Sequence, residues 1–179
     1  MTELEHEGLR LRRAEQADLD FLLELITHDD VEPYLAVIRP RDREGLLDEI
    51  ERSLREPDEF GRFVLEVEED GAWRRAGVMG FQLANRRSRI AHLGSLAIHP
   101  DFRGRHLADE AAQMFQRHLI LELGYHRLEL EVYGFNDRAL RHAERAGFVR
   151  EGVKRMAYER HGGWVDGVLF GLVREDLEP

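Results

Sequence analysis

Four consecutive residues, Arg103-Gly104-Arg105-His106, stand where the sequence changes period, and their types suit the capture of a phosphate-rich anion. Before them, Leu93 to Ile98 is an apolar run too short for a helix that must stop at Pro100, and it reads as a buried strand. After Asp101 the apolar residues Leu107, Ala111, Met114 or Phe115, His118 or Leu119, and Leu123 recur at three- and four-residue steps. That is the stripe of a helix ending near Gly124. A strand feeding a helix through such a turn aims free backbone N–H groups, a positive helix end and two guanidinium groups at one point. A pyrophosphate suits that site; an ordinary basic loop capping a helix is the plainer alternative.

The elements that must position this turn are legible as changes of period. Gly8 to Arg13 reads as an opening strand, and Asp18 to His28 carries Leu19, Leu22, Leu23, Leu25 and Ile26 on a helical stripe. Asp29 to Pro40 breaks the period, and Arg41 to Glu56 is a second helix stopped by Pro57. Phe60 to Glu68 alternates, Asp70-Gly71 signals a hairpin, and strands follow from Trp73 to Leu83 and from Arg89 to Ile98. Beyond the long helix, Arg127 to Tyr133 is a strand with a polar face. A helix capped by Asn136 and stopped by Gly147 comes next, then a hairpin of Met156–Arg160 and Trp164–Val173. Three antiparallel strands, a crossover helix and a strand parallel to the third predict a mixed α/β (α+β) sheet.

Composition narrows the chemistry. At 179 residues the chain is most simply one domain, residues 1–179. It has no Cys, so a thiol nucleophile, a disulfide framework and a Cys-ligated metal are excluded. No apolar run reaches membrane-spanning length and MTELEHEGLR is no secretory signal, so a cytoplasmic enzyme without a membrane partner is the expectation. A net charge of −10 disfavours a nucleic-acid partner and is compatible with a cationic amine substrate, although simple solubility explains it as well.

The segment Arg103-Gly104-Arg105-His106-Leu107-Ala108, preceded by Leu96-Ala97-Ile98-His99-Pro100, resembles the pyrophosphate loop of the GNAT superfamily of acyl-CoA-dependent N-acetyltransferases. The pattern of that loop is Arg or Gln, x, x, Gly, x, Gly or Ala. Arg103 and Ala108 fit its ends, while His106 stands where the first Gly is expected. A second block, Asn136 through Ala139 to Gly147-Phe148, is similar to the superfamily's Asn-x-x-Ala-x-x-x-Tyr-x-x-x-Gly-Phe, with Ala143 in place of the Tyr. The Tyr133-Gly134-Phe135-Asn136 stretch and the tail are closest to the ribosomal-protein alanine and spermidine acetyltransferase branches.

The resemblance implies a GNAT fold, in which a twisted, mostly antiparallel sheet with one splayed parallel pair is flanked by about four helices. It implies acetyl-CoA as co-substrate, no metal, an amine acceptor and direct attack without a covalent enzyme intermediate; a homodimer is a further expectation. The cofactor would be held by Leu96, Ala97, Ile98, Arg103, Gly104, Arg105, His106, Leu107, Ala108, Asn136 and Arg138, with a backbone N–H of Leu96 to Ile98 on the thioester oxygen. Many members carry a Glu eight residues before the loop's Pro; here that residue is His92, a candidate base with an ordinary pKa of about 6.5. With Ala143 unable to serve as acid, Tyr133 or Tyr158 is the substitute, and both are equally at home as half-buried aromatics. Tyr34 and Glu66 are candidate substrate contacts, together with Glu32 and Arg39. Glu129 and Glu131 can bind an amine or relay protons, or simply be the solvated face of a strand. A non-catalytic acyl-CoA-binding module is the alternative from a different functional class.

Overall fold

A computed structural model describes residues 3–35 and 42–177. Eight strands form one sheet in the order β1-β2-β3-β4-β5-β6-β8-β7. Its strands are β1 (Glu3–His6), β2 (Leu9–Arg13), β3 (Phe60–Glu69), β4 (Ala72–Asn85), β5 (Ile90–Ile98), β6 (Arg127–Tyr133), β7 (Val149–Arg160) and β8 (Gly163–Val173). Every neighbouring pair is antiparallel except β5 and β6. Helices α1 (Leu19–Thr27) and α2 (Arg43–Arg55) follow β2, α3 (Leu107–Arg117) links β5 to β6, α4 (Asp137–Arg145) follows β6, and a short α5 (Arg174–Leu177) closes the described chain. This is the mixed, mostly antiparallel sheet with one parallel pair and four longer helices that the sequence predicts.

The helices bury their apolar stripes on opposite faces of the sheet. Ala111, Ala112 and Phe115 of α3, Leu119 beyond it, Ala143 of α4 and Ala146 at its C-terminal cap pack on Ala91, Leu93, Leu128, Phe170 and Leu172. Leu22, Leu25 and Ile26 of α1 and Leu46 and Ile50 of α2 pack on Val64, Val78 and Ala97. Leu93 and Ala97 are four residues apart on one strand and should share a face. They do not, because β5 carries an extra residue against β4 between Gly94 and Ala97, and Ser95 adopts a left-handed φ of +59° there. The bulge turns the strand over just ahead of the phosphate-type turn.

Three features differ from the sequence reading. β1 was not expected: its residues are polar and largely exposed, so no buried face marks it, and the Glu7-Gly8 turn with φ of +45° and +79° is what folds it back on β2. β7 begins at Val149 rather than Met156; it is an exposed edge strand with irregular register, so its apolar alternation is weak. The long helix ends in a π turn, His118–Glu122, before the expected stop at Gly124.

Candidate functional site

The parallel pairing of β5 and β6 is brief. Ile90, Ala91 and His92 oppose Arg127, Leu128 and Glu129, and there the register ends. From Leu93 onward β5 keeps β4 as partner, while β6 from Leu130 to Tyr133 keeps β8. The strands therefore part, and a cleft of about 560 Å³ runs between them, lined by Leu93–Ile98 on one margin and Leu130–Tyr133 on the other. Side chains opposed in register point to the same face, so His92, Glu129, Glu131 and Tyr133 share one face; Leu93 next to His92 packs toward α3, which puts His92 on the α1/α2 side.

At the other mouth lies the turn from Arg103 to Ala108. Gly104 has φ +79° with open space around it, and His106, the N-cap of α3, has φ +59°. The chain therefore needs the left-handed region at the position where the resemblance places Gly. The imidazole leaves the cradle: its side chain is 84% exposed and lies 3.7 Å from Asp109. It does not cap α3, and Leu107, Ala108 and Asp109 of the first turn line the cleft. Asn136 Oδ1 accepts from the Ala139 amide at 3.2 Å and fixes the start of α4. His142 contacts Asp109 at 2.8 Å, and the Gln116 side chain donates to the Ala146 carbonyl at 2.9 Å, so both ends of α3 are tied to the C-terminal half of α4.

The two guanidinium groups of the turn separate. Arg103 stays at the cleft, donates to the Asp30 carbonyl at 3.0 Å, and is pushed below its ordinary pKa first by burial and then by Arg138, on the first turn of α4. Two cations converging at one mouth make a receptor for an anion. Arg105 also lines the cleft, but its guanidinium is ion-paired to Glu69 at the end of β3 and lies over the Phe102 ring.

His92 is pushed below the usual imidazole value chiefly by burial, against the pull of Glu129 and Glu131. Tyr133 is buried, stacks on Phe135 with ring centres 5.6 Å apart, and meets Tyr158 edge-on at 5.7 Å. Tyr34 covers Phe135 at 6.0 Å from the turn after α1. Leu96, Ala97, Ile98, Leu107, Ala108 and Arg138 line the same cleft, as does Ala143, whose methyl leaves room where a Tyr would fill it.

Glu66 is placed elsewhere. It lies buried on β3, with its carboxylate taken by Arg10 and Arg12, outside the residues that line the cleft. The substrate contact expected there is corrected to a structural ion pair. Glu32 accepts from Arg160 at 3.2 Å, and Arg39 lies outside the described residues. Sequence reasoning gave Glu131 no firm role, because a polar strand face looks the same whether it meets solvent or a slot between strands.

Comparison with known proteins agrees with this geometry. Residues 8–149 match the acetyltransferase (GNAT) domain family. The SPbeta prophage-derived uncharacterized N-acetyltransferase YokL of Bacillus subtilis (strain 168) is 30% identical over 147 residues, which is 78% of this chain and 75% of YokL. Among solved structures, the spermidine N-acetyltransferase of Vibrio cholerae in complex with CoA and spermine superposes with a TM-score of 0.84 at 20% identity, over 97% of this chain and 100% of that one. The ribosomal-protein-S5-alanine acetyltransferase of Vibrio fischeri gives 0.81 at 16% identity, with all of both chains covered. The fold is shared with these structures, and the family match, which spans most of the sequence, settles membership: the chain belongs to the GNAT acetyltransferase family.

Proposed function

We propose that the protein transfers an acetyl group from acetyl-CoA to a primary amine, whether a small molecule, an amino acid, a polyamine or a protein N-terminus. The observation that carries this reading is the opening through the sheet, with anion-binding groups at its α3/α4 mouth and His92 on its α1/α2 side. The donor and the acceptor then arrive from opposite faces and meet in the gap. Bound acetyl-CoA supplies the activated thioester. Arg103, Arg138 and the amides of Arg105 to Ala108 hold its pyrophosphate, and the unpaired margin of β5 takes its pantetheine arm as an added strand.

The residues in the gap divide the remaining work. A backbone N–H after the Ser95 bulge, within Leu96 to Ile98, faces the thioester oxygen where charge develops. His92, neutral at pH 7 because burial lowers its pKa, removes the proton of the attacking amine directly or through one water. Tyr133 stands in as proton donor to the departing thiolate; a thiol with an ordinary pKa near 8.5 also leaves tolerably without one. Tyr34 and Phe135 wall the acceptor's approach.

The absence of a hydroxyl at Ala143 is the feature that favours the other reading, an acyl-CoA-binding module without turnover. A thiol-release assay with acetyl-CoA and a panel of primary amines, run beside calorimetry with CoA, distinguishes the two. Turnover with any acceptor establishes the enzyme. CoA binding without turnover across the panel leaves the module, and no CoA binding overturns both.

A further inference from the structure

Of the 26 Lys and Arg residues in the chain, Lys154 is the only lysine. It projects from the exposed edge strand β7 and its side chain is half-exposed, but its ammonium group turns back over the sheet. It crosses β8 at Gly167, its register partner, and donates to Glu131 Oε2 on β6 at 2.9 Å. Gly167 is what permits this. A Cβ built there would collide with Glu131 Oε1 and with the Tyr158 ring, so the glycine clears a seat in which the carboxylate lies against the β8 backbone. Tyr158 roofs that seat, and its phenol is pushed up by burial and by the Glu131 carboxylate.

The pairing satisfies only half of Glu131. Oε1 is buried without a hydrogen-bond partner, which is costly for a carboxylate oxygen. Glu131 lines the cleft on the face it shares with His92, so this under-satisfied charge stands beside the place where an amine must meet the thioester. An alkylammonium ion already occupies it, supplied by the chain itself.

We propose that Glu131 is the residue that receives the acceptor's ammonium group, and that Lys154 is an internal stand-in that shares or yields the carboxylate when the acceptor arrives. The acceptor is then an amine that enters protonated, and Glu131 selects for that charge before His92 removes the proton. Glu131 is thus a binding and specificity residue for the transfer proposed above, on which this inference rests. Lys154 stays protonated on Glu131, which raises its pKa, so it is a placeholder rather than a nucleophile.

The test uses the full chain saturated with CoA and two primary ammonium probes, spermidine and alanine amide, titrated by calorimetry, with steady-state kinetics on acetyl-CoA alongside. Glu131→Gln keeps the shape of the side chain and should weaken at least one probe tenfold or more, appearing in KM rather than kcat, with CoA affinity unchanged. Lys154→Met should act in the opposite direction, tightening the same probe about threefold because the internal competitor is gone. A merely structural pair would shift melting temperature in both variants without opposite effects on amine affinity. Unchanged probe affinity in Glu131→Gln, or weakened affinity in Lys154→Met, overturns the assignment even if the wild type binds CoA and turns over. Failure of the wild type to bind either probe overturns it as well, while the CoA titration judges the broader reading separately.

Discussion

His92 and His106 are the two residues whose environments make the sharpest expectations. Protonated His92 cannot accept a proton, and its depressed pKa means that the neutral form persists below pH 6.5, the ordinary imidazole value. The acid limb of kcat/KM should therefore fall below that value. His92→Ala should lower kcat about a hundredfold near pH 7, with CoA affinity intact. The same shift acts on stability. Below pH 6.5 the unfolded chain takes up a proton that the folded chain refuses, so the contribution of His92 is present above that pH and is lost as pH falls through the depressed folded value. His106 is strained: at φ +59° with an exposed side chain, its imidazole gives up little on truncation. His106→Gly should raise stability by about 1 kcal/mol in denaturant melts while keeping or improving CoA affinity. A tenfold loss of affinity would instead make the imidazole a ligand.

At the scale of the element, the strand-turn-helix unit from β5 to α3 was legible because the period changes from strand to helix across Pro100. The roles of its two arginines were not legible. Nothing local tells Arg103 from Arg105; the difference comes from Glu69, which is brought to Arg105 by the β3–β4 hairpin, and from Arg138, which is brought to Arg103 by α4. Arg103→Glu should weaken CoA binding tenfold or more by calorimetry, since a charge-assisted contact becomes a repulsion. Arg105→Glu should cost about threefold or less. Equal losses would put both guanidinium groups on the phosphates. The Ser95 bulge likewise left no sequence signal, because alternation predicts Leu93 and Ala97 on one face and only the pairing with β4 reveals the extra residue. Glu66 and Glu131 show the same limit from the other side. Both occupy polar positions in strands, and only tertiary structure assigns one to an internal arginine pair and the other to the cleft.

Across the whole molecule, charge is organised as well as abundant. Asp18 and Glu66 are buried together beneath Arg10, Arg12 and Arg75, which join β2, the start of α1 and β4. Burial alone would raise both carboxyl pKa values, but the arginine hydrogen bonds outweigh it and hold both below their ordinary range. Their stabilisation is therefore present above the ordinary carboxylate pKa, near 4, and is lost as pH falls through the lowered folded values. Asp18→Asn should destabilise the protein by about 2 kcal/mol in urea melts at pH 7, less than for a fully enclosed pair because Arg12 and Arg75 still reach water. The variant should also flatten the acid limb of the stability profile.

The short register between β5 and β6 has a mechanical consequence. It divides the sheet into a five-stranded ribbon and a three-stranded ribbon, joined strand to strand, among the described residues, at Ile90–His92 and Arg127–Glu129. Amides of Leu93–Ile98 and Leu130–Tyr133 that face the gap should exchange hydrogen quickly in the free protein and about tenfold more slowly when CoA bridges both margins. Glu3 lies at the far edge of the larger ribbon and Leu177 follows the smaller one, so tension applied between those residues pulls across the seam. The joint should tear there first under load, and an occupied cleft should act as a rivet.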